Sequence, residues 1–205
     1  MSGEALRREV VVATSNPGKL AEIRAILADI PVTLCALDSL PELRLPAEGD
    51  DYAENAVGKA RAAARGSGRL ALGDDSGLEV AGLGGAPGPH SARYGGPGLD
   101  DAGRVAALLR EAAGLTGAGR SARFVCVAAL AAPDGQVVTA RGECQGRLLE
   151  APRGRGGFGY DPIFEVAGTH AAMAELEPAA KNRISHRARA FLGLRGALLD
   201  RSAAP

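Results

Sequence analysis

Adjacent carboxylates follow a short apolar run in the sequence. Asp74 and Asp75 come directly after Leu70-Ala71-Leu72, which has the composition of a buried strand, and Ser76 and Gly77 follow them. The carboxyl end of a strand is where open α/β sheets bind ligands, and carboxylate oxygens suit Mg²⁺ held together with substrate phosphates. Successive strand residues point to opposite faces, so one of the two carboxylates is expected to meet a substrate. An Asx turn that merely ends the strand would have the same sequence.

A second polar segment suits phosphate binding. Thr14-Ser15-Asn16-Pro17-Gly18-Lys19 follows the β-branched run Val10-Val11-Val12 and precedes apolar residues at helical spacing. Asn16 suits an N-cap and Pro17 the first helical position. The start of a helix offers unpaired N–H groups and the positive end of the helix dipole, which together bind phosphate. The P-loop spacing GxxxxGK[ST] is absent, which disfavours a P-loop nucleotidase, and a capped helix with a solvated lysine is the alternative.

Acidic residues crowd the start of a second predicted helix, at residues 50–65. These are Glu48, Asp50, Asp51 and Glu54, and Lys59 lies five residues beyond Glu54. The helix dipole favours acidic residues at this end whether or not they bind metal, so a solvated face with a surface ion pair is the default interpretation. The same helix can also present a carboxylate and an ammonium group to one site.

A glycine-dense segment, Gly156-Gly157-Phe158-Gly159-Tyr160-Asp161-Pro162, carries two aromatic rings and a carboxylate. Exposed rings flanked by glycine suit stacking on a planar base, with Asp161 accepting the N–H groups of that base, and loops commonly carry such sites. A packed turn is the alternative. Cationic and donor groups follow near the start of the last predicted helix, namely Lys181, Ser185, His186 and Arg187. A lone histidine at a helix start is more often a cap or a surface group, so His186 alone carries little weight.

The elements that must position these residues alternate in the first half of the chain. Strands are predicted at residues 10–12, 32–36, 70–72 and 163–166, and helices after Asn16, at 50–65, at 100–110 and after Ser185. Pro133-Asp134-Gly135 joins two apolar segments, 124–132 and 136–149, into a predicted hairpin, while the Gly- and Pro-rich residues 82–98 form a shaped loop. We therefore predict an α/β fold with a mixed central sheet and flanking helices, in one domain over residues 1–205 with an ordered core at about 10–199.

Composition narrows the class of protein. The 205 residues include 24 Lys+Arg, 24 Asp+Glu and 46% hydrophobic residues, which suits one compact domain without the positive field that drives binding to nucleic acid polymers. The cysteines Cys35, Cys126 and Cys144 lack CxxC spacing, which argues against disulfides and zinc and fits a reducing cytoplasm. The first residues lack an apolar leader and no apolar run reaches bilayer length, so neither secretion nor a membrane is expected.

Taken together, these motifs resemble the inosine triphosphate pyrophosphatase family, also called XTP/dITP diphosphatases. The resemblance runs from Val10 to about Leu199 and is carried, in family order, by Thr14-Ser15-Asn16-Pro17-Gly18-Lys19, Glu54-Asn55-Ala56 with Lys59-Ala60, Asp74-Asp75-Ser76-Gly77-Leu78, Ser91-Ala92-Arg93-Tyr94, Gly157-Phe158-Gly159-Tyr160-Asp161-Pro162 and Ser185-His186-Arg187. It implies an elongated two-lobed mixed α/β domain with the active-site cleft between the lobes, usually a homodimer. It also implies Mg²⁺-dependent hydrolysis of ITP, dITP and XTP to the monophosphate and pyrophosphate, which cleans the nucleotide pool.

The resemblance assigns roles residue by residue. Asp75 would bind Mg²⁺ and act as the base toward water, or mainly position that water, because a metal-bound carboxylate is a weak base. Substrate would be held by Thr14, Ser15, Asn16, Pro17, Gly18, Lys19 and Lys59 at the triphosphate, by Ser76, and at the base by Phe158, Gly159, Tyr160, Asp161, Lys181, His186 and Arg187. The family usually has a metal-binding Glu, one residue and then Gly, whereas here Ala47 occupies the aligned position and Glu48 directly precedes Gly49. Glu48 is therefore the candidate second metal ligand.

Two other functions compete with this one. A Maf-like pyrophosphatase for modified pyrimidine nucleotides would have a related shape, but the Phe158-Gly159-Tyr160-Asp161 and Ser185-His186-Arg187 motifs argue against it. A nucleotide-sensing module without catalysis would need no intact Asp74-Asp75 pair with Lys19 and Lys59.

Overall fold

The chain folds around one six-stranded sheet. A computed structural model describes residues 7–202, and residues 1–6 and 203–205, which the single-domain prediction also covers, lie outside the described residues. The strands are β1 Arg8–Val12, β2 Val32–Ala36, β3 Leu70–Val80, β4 Ser121–Ala131, β5 Val137–Leu148 and β6 Phe164–Val166. The helices are α1 Pro17–Ile26, α2 Tyr52–Ser67, α3 Asp101–Glu111, α4 Pro178–Ile184, α5 His186–Gly193 and α6 Arg195–Ser202.

The order of strands in the sheet is β2-β1-β3-β4-β5-β6. β1 pairs in parallel with β2 and β3, whereas β5 and β6 are antiparallel, so the sheet is mixed. The predicted α/β class with a mixed sheet and flanking helices is confirmed. Within residues 7–202, no helix combines the length and the apolar character needed to cross a bilayer.

The first strand, turn and helix form as the sequence predicts. Val10, Val11 and Val12 are fully buried in β1. Asn16 caps α1, because its Oδ1 accepts a hydrogen bond from the Lys19 N–H at 3.0 Å, and Pro17 occupies the first helical position. The turn therefore presents the N-terminus of α1 at the carboxyl end of β1.

Strand β3 is longer than predicted. It continues from Leu70 to Val80, so Asp74 and Asp75 lie inside a strand and not in a turn that ends it. β1 pairs with β3 only as far as Leu72, but β4 is hydrogen-bonded to the other edge of β3 and the strand has a neighbour after β1 stops. The prediction of a strand end at Leu72 was wrong because it considered only the apolar run.

Residue contacts divide the chain into two compact units. The first contains residues 7–75, 127–140 and 190–202 of the described chain, and the second contains residues 76–126 and 141–189. The second unit has a core built from strand, helix and loop side chains, among them Leu78, Leu108, Phe124, Leu148, Tyr160, Ile163, Phe164 and Met173. The cleft between two lobes that the resemblance implies stays a prediction.

The C-terminal helical region differs from the single helix predicted after Ser185. Ser185 does cap α5, since its Oγ accepts the Ala188 N–H at 3.1 Å, but the helix ends at Gly193 and α6 begins at Arg195. A Cβ at Gly193, the last residue of α5, would lie 2.8 Å from the Cβ of Ala140, so glycine suits this position. The short helix α4 was not predicted.

The remaining loops are more ordered than their composition indicates. Within the predicted shaped loop at residues 82–98, 3₁₀ turns form at Ala81–Leu83 and Gly88–Arg93. The hairpin is confirmed, because the Ala132 N–H donates to the Gln136 carbonyl at 2.9 Å across the Pro133-Asp134-Gly135 turn that joins β4 and β5.

Candidate active site

The first unit brings three carboxylates and two lysines together, and we name Glu48, Asp74, Asp75, Lys19 and Lys59 the carboxylate–lysine cluster. Lys19 Nζ lies 3.0 Å from Asp74 Oδ2. Lys59 Nζ lies 2.6 Å from Glu48 Oε1 and 3.7 Å from Asp75 Oδ1. The partner of Lys59 is thus Glu48, and Glu54, on the same helix, is exposed. Three carboxylates against two ammonium groups leave one net negative charge.

Burial and charge set the protonation of this cluster. Burial raises the pKa of Asp75 above its usual value, and this effect outweighs the hydrogen bond from Asn55 and the positive charge of Lys59, which both favour the carboxylate. Burial alone would lower the pKa of Lys59, but Asp74, Glu48 and Asp75 together raise it, so Lys59 is a stable cation. Asp75 is therefore a stronger proton acceptor than an exposed aspartate.

The close packing of α2 on β3 places the cluster. A Cβ at Gly73 would lie 2.5 Å from the carbonyl oxygen of Ala56 and 2.7 Å from the backbone nitrogen of Ala60, so the helix rests directly on the strand at a residue without a side chain. Asn55 and Lys59 lie one helical turn apart on the buried face of α2. Both consequently reach Asp75, two residues beyond Gly73.

The predicted phosphate turn lies beside this cluster in the first unit. The Asn16 N–H donates to Thr14 Oγ1 at 3.2 Å, so the turn is held by its own polar side chains. Ser15, Asn16 and Pro17 are exposed, whereas Gly18 and Lys19 are half-buried, and Lys19 connects the turn to Asp74. An adjoining cavity of about 360 Å³ is lined by Thr14 to Pro17, by Leu20, and by residues 36–38, 40, 41 and 43.

The donors of the cluster fit a magnesium ion that is shared with a substrate. Glu48 and Asp75 both direct an oxygen toward the same ammonium group, and the cluster has a net negative charge. Among residues 7–202, no three His, Cys, Asp or Glu side chains are grouped to enclose a metal by themselves. Mg²⁺ usually takes one or two carboxylates plus substrate phosphates and water, which matches two protein oxygens and leaves the other positions to a ligand.

The second unit groups the residues predicted to bind a base around Phe158. Lys181 Nζ lies 4.9 Å and Arg187 Cζ 5.5 Å from the centroid of the half-buried Phe158 ring. Asp161 Oδ2 accepts the Phe158 N–H at 2.9 Å and also forms a buried ion pair with Lys181. Positive groups within about 6 Å of an aromatic face are attracted to it, so the two cations hold the ring in place.

Tyr160 does not have the exposed position predicted for it. Its ring belongs to the core of the second unit, and its hydroxyl donates to the Ser91 carbonyl at 2.9 Å. Burial raises its pKa. The preceding Gly159 is fixed by its N–H, which donates to Asp101 Oδ2 at 2.8 Å. Glycine neighbours suggested exposure, but the phenol fits the core because its polar end has a partner.

His186 contacts Phe124, and Arg187 contacts Ser76, within the second unit. The His186 ring stacks on Phe124, with centroids 4.7 Å apart and planes inclined by 12°. Arg187 is fully buried and its Nη2 donates to Ser76 Oγ at 3.0 Å. The hydroxyl of Ser76 is therefore oriented by an arginine 111 positions later in the chain.

Sequence reasoning gave no role to three residues that contact the predicted site residues. Asn55 contacts Asp75, Asp101 contacts Gly159 and Phe124 contacts His186. Asn55 had a usable signal, because it lies four positions before Lys59 and must share its helix face. Asp101 and Phe124 had none, since their contacts depend on tertiary packing.

Comparisons with known proteins identify the family. The model of the Ham1 family matches residues 10–197. A dITP/XTP pyrophosphatase of Geobacillus kaustophilus is 47% identical over 188 residues, 91% of this chain and 92% of that protein. One of Thermus thermophilus is 47% identical over 193 residues, 94% of this chain and 92% of that protein.

Solved structures give the same result. The structure of a HAM1 protein from Coxiella burnetii has a TM-score of 0.85 and 38% identity, and covers 94% of this chain and 99% of its own. The crystal structure of a nucleoside-triphosphatase, dITP/XTP pyrophosphatase, from Mycobacterium abscessus has a TM-score of 0.73 and 39% identity. It covers 91% of this chain and 97% of its own. On the family model, the sequence identity and the shared fold, the chain belongs to the Ham1 family.

Proposed function

We propose that this protein is a Mg²⁺-dependent pyrophosphatase that hydrolyses the nonstandard purine nucleotides dITP, XTP and ITP to the monophosphate and pyrophosphate. The observation that carries the proposal is the carboxylate–lysine cluster beside the N-terminus of α1, which combines donors for a cation with donors for phosphate. Relatives named dITP/XTP pyrophosphatase, which are 47–48% identical to this chain over about nine-tenths of its length, support the substrate class.

Positive groups of the first unit would bind the triphosphate. The N-terminus of α1 carries the positive end of the helix dipole, and the Lys19 ammonium in the first turn of that helix adds a full positive charge. Lys59 keeps its proton because carboxylates surround it, so it remains available as a cation when pyrophosphate leaves. Neutralising the charge of the leaving group lowers the barrier to its departure.

Asp75 and Glu48 would hold the metal ion. When bound, Mg²⁺ supplies positive charge to the phosphate oxygens and lowers the pKa of a coordinated water. Asp75 would position the water that attacks the α-phosphorus and accept its proton, while the bond from that phosphorus to the bridging oxygen breaks and pyrophosphate departs. Burial raises the pKa of Asp75, which favours proton transfer to it, whereas a bound Mg²⁺ would lower that pKa and favour its role in positioning the water.

Residues of the second unit would recognise the purine. The Phe158 ring, held by Lys181 and Arg187, offers a stacking face. Inosine and xanthosine carry an oxo group at the 6-position where adenine has an amine, so donors such as His186 or backbone N–H groups would favour them. Guanine shares that oxo group, and the site must also disfavour its 2-amino group.

Two further properties belong to the same proposal. Cys35, Cys126 and Cys144 are free thiols, which supports a reducing compartment such as the cytoplasm. A homodimer is proposed from the family resemblance, and light scattering of the purified protein would give its mass.

Steady-state hydrolysis tests the function. Initial rates would be measured for dITP, XTP, ITP, dGTP and dATP, with Mg²⁺ and with EDTA, and pyrophosphate would be quantified separately from phosphate. We expect pyrophosphate from the first three, little from dGTP and dATP, and none in EDTA. Asp75→Asn is the matched inactive variant that excludes a contaminating enzyme. A rate on dATP equal to the rate on dITP, or release of single phosphates, would contradict the proposal.

A further inference from the structure

Asn55 connects two parts of the candidate metal site in the first unit. Its Nδ2 donates to Asp75 Oδ2 at 2.8 Å. Its Oδ1 accepts the Gly49 N–H at 2.7 Å, and its Nδ2 also donates to the Gly49 carbonyl at 3.2 Å. The side chain is buried, with 6% of its surface exposed. One amide therefore contacts the carboxylate of Asp75 and the backbone next to Glu48.

We propose that Asn55 is a positioning residue that holds Asp75 and Glu48 in the relative arrangement that Mg²⁺ requires; this inference rests on the proposed function. Asp75 Oδ2 is fixed by Asn55 while Oδ1 faces Lys59, so the orientation of the carboxylate is set from both sides. Glu48 lies outside regular secondary structure, and the pair of bonds from Asn55 to Gly49 anchors that segment to α2.

A neutral amide is the side chain that this position requires. Its Nδ2 donates to a carboxylate while its separate Oδ1 accepts an N–H, whereas a carboxylate has no donor and a hydroxyl would have to serve both partners through one oxygen. Asparagine is a poor residue for a helix interior, yet Asn55 lies in the first turns of α2 on its buried face. The backbone N–H of Asn55 already bonds to the Asp51 carbonyl, so α2 does not need the side chain to form.

The contact between Asn55 and Gly49 is important because Glu48 directly precedes Gly49, without the intervening residue that the family usually has. With Glu48 directly before Gly49, the carboxylate depends on the conformation of a single neighbouring residue. The Gly49 N–H and carbonyl are both hydrogen-bonded to the Asn55 amide, at 2.7 and 3.2 Å, which fixes the conformation of that residue. Groups that orient metal ligands typically change metal affinity or activity by about 10–100-fold when they are removed.

The test compares Asn55→Ala and Asn55→Asp with the wild-type protein and with Ser67→Ala, a control that removes a side-chain hydrogen bond from the far end of the same helix. Mg²⁺ binding would be measured by calorimetry in the presence of a non-hydrolysable α,β-imido analogue of dITP. Melting temperatures without metal, kcat and KM for dITP would be measured in parallel.

We expect Asn55→Ala to weaken Mg²⁺ binding by about 10–100-fold and to lower kcat more than it raises KM. Asn55→Asp keeps the acceptor for Gly49 but loses the donor to Asp75, so it should also lose turnover although it has the same shape. Ser67→Ala should bind Mg²⁺ as the wild type does. A lower melting temperature with unchanged Mg²⁺ affinity and kcat in both Asn55 variants would overturn the inference and leave Asn55 a structural residue.

The same measurements separate this inference from the proposed function. A wild-type protein that binds Mg²⁺ but hydrolyses none of the nucleotides would overturn the function, while weaker Mg²⁺ binding by Asn55→Ala would still support the positioning role. A wild-type protein that neither binds Mg²⁺ with the analogue nor turns over dITP would overturn both.

Discussion

Gly73→Ala is expected to damage both stability and activity through one contact. The added Cβ would lie 2.5 Å from the Ala56 oxygen and 2.7 Å from the Ala60 nitrogen, whereas non-bonded contacts of carbon normally lie at about 3.5 Å or more. Both neighbours are backbone atoms of α2 that no side-chain rotation can remove, so the helix must move from β3 by roughly 1 Å. Overpacking of this kind costs about 1–3 kcal/mol, which corresponds to about 2–12 °C in Tm.

The same displacement reaches the candidate active site. The bond from Asn55 to Asp75 is 2.8 Å long, and lengthening it by roughly 1 Å would end it as a hydrogen bond. Misplacement of catalytic groups by about this distance can cost about 100-fold in turnover. We therefore expect kcat for dITP to fall by about 10–100-fold in protein that is still folded.

The Tm of each variant would be measured by thermal melting. Mg²⁺-dependent kinetics would then be measured at a temperature at which all variants are folded. Gly196→Ala is the matched control, because a Cβ at this exposed position of α6 meets nothing within 4 Å. It should raise stability by about 0.5–1 kcal/mol, the ordinary gain from replacing glycine in a helix. An unchanged Tm and kcat for Gly73→Ala would show that α2 does not rest on β3 at this residue.

Three other substitutions test separate parts of the site. Asp75→Asn should lower turnover at least about 100-fold yet raise the Tm of metal-free protein at pH 7, because burial raises the pKa of Asp75 and folding disfavours its charge. That gain in Tm should vanish below the usual pKa of 3.8, where the carboxyl is protonated in both states, and an unchanged Tm at pH 7 would contradict it. Lys19→Ala should raise KM for dITP and lower the Tm, since Asp74 loses the cation that lies 3.0 Å from it; an unchanged KM would place the triphosphate elsewhere. Tyr160→Phe should cost about 1–3 kcal/mol in urea unfolding by leaving the buried Ser91 carbonyl without its donor, and a smaller loss would mean that water replaces it.

Local sequence signals predicted the parts of the fold that local physics determines. The turn from β1 to α1 combines a β-branched run, an N-cap and a proline at the first helical position, and each of these acts over only a few residues. The β4–β5 hairpin is similarly determined by its Pro133-Asp134-Gly135 turn. These elements have the predicted type, and their boundaries differ by a few residues.

Errors arose where a distant partner decides the outcome. β3 continues past Leu72 because β4, which begins 49 positions later, is bonded to its other edge. Tyr160 is buried because the Ser91 carbonyl accepts its hydroxyl hydrogen, and the glycine-rich segment before it gave no sign of this. Lys59 pairs with Glu48 and not with Glu54, since the segment before α2 folds back toward the helix face. None of these partners is visible in the neighbouring sequence.

The ion pairs of the carboxylate–lysine cluster would couple metal binding to phosphate binding. Lys59, which would bind phosphate, is paired with Glu48 and Asp75, and the same two carboxylates would bind the metal. A cation on Glu48 and Asp75 would release the Lys59 ammonium toward phosphate, while phosphate on Lys59 would release the carboxylates toward the cation. Each ligand should then raise the affinity for the other by the same factor, because such coupling is reciprocal. Free Mg²⁺ and free nucleotide should both bind weakly, and the protein should respond to the concentration of their complex.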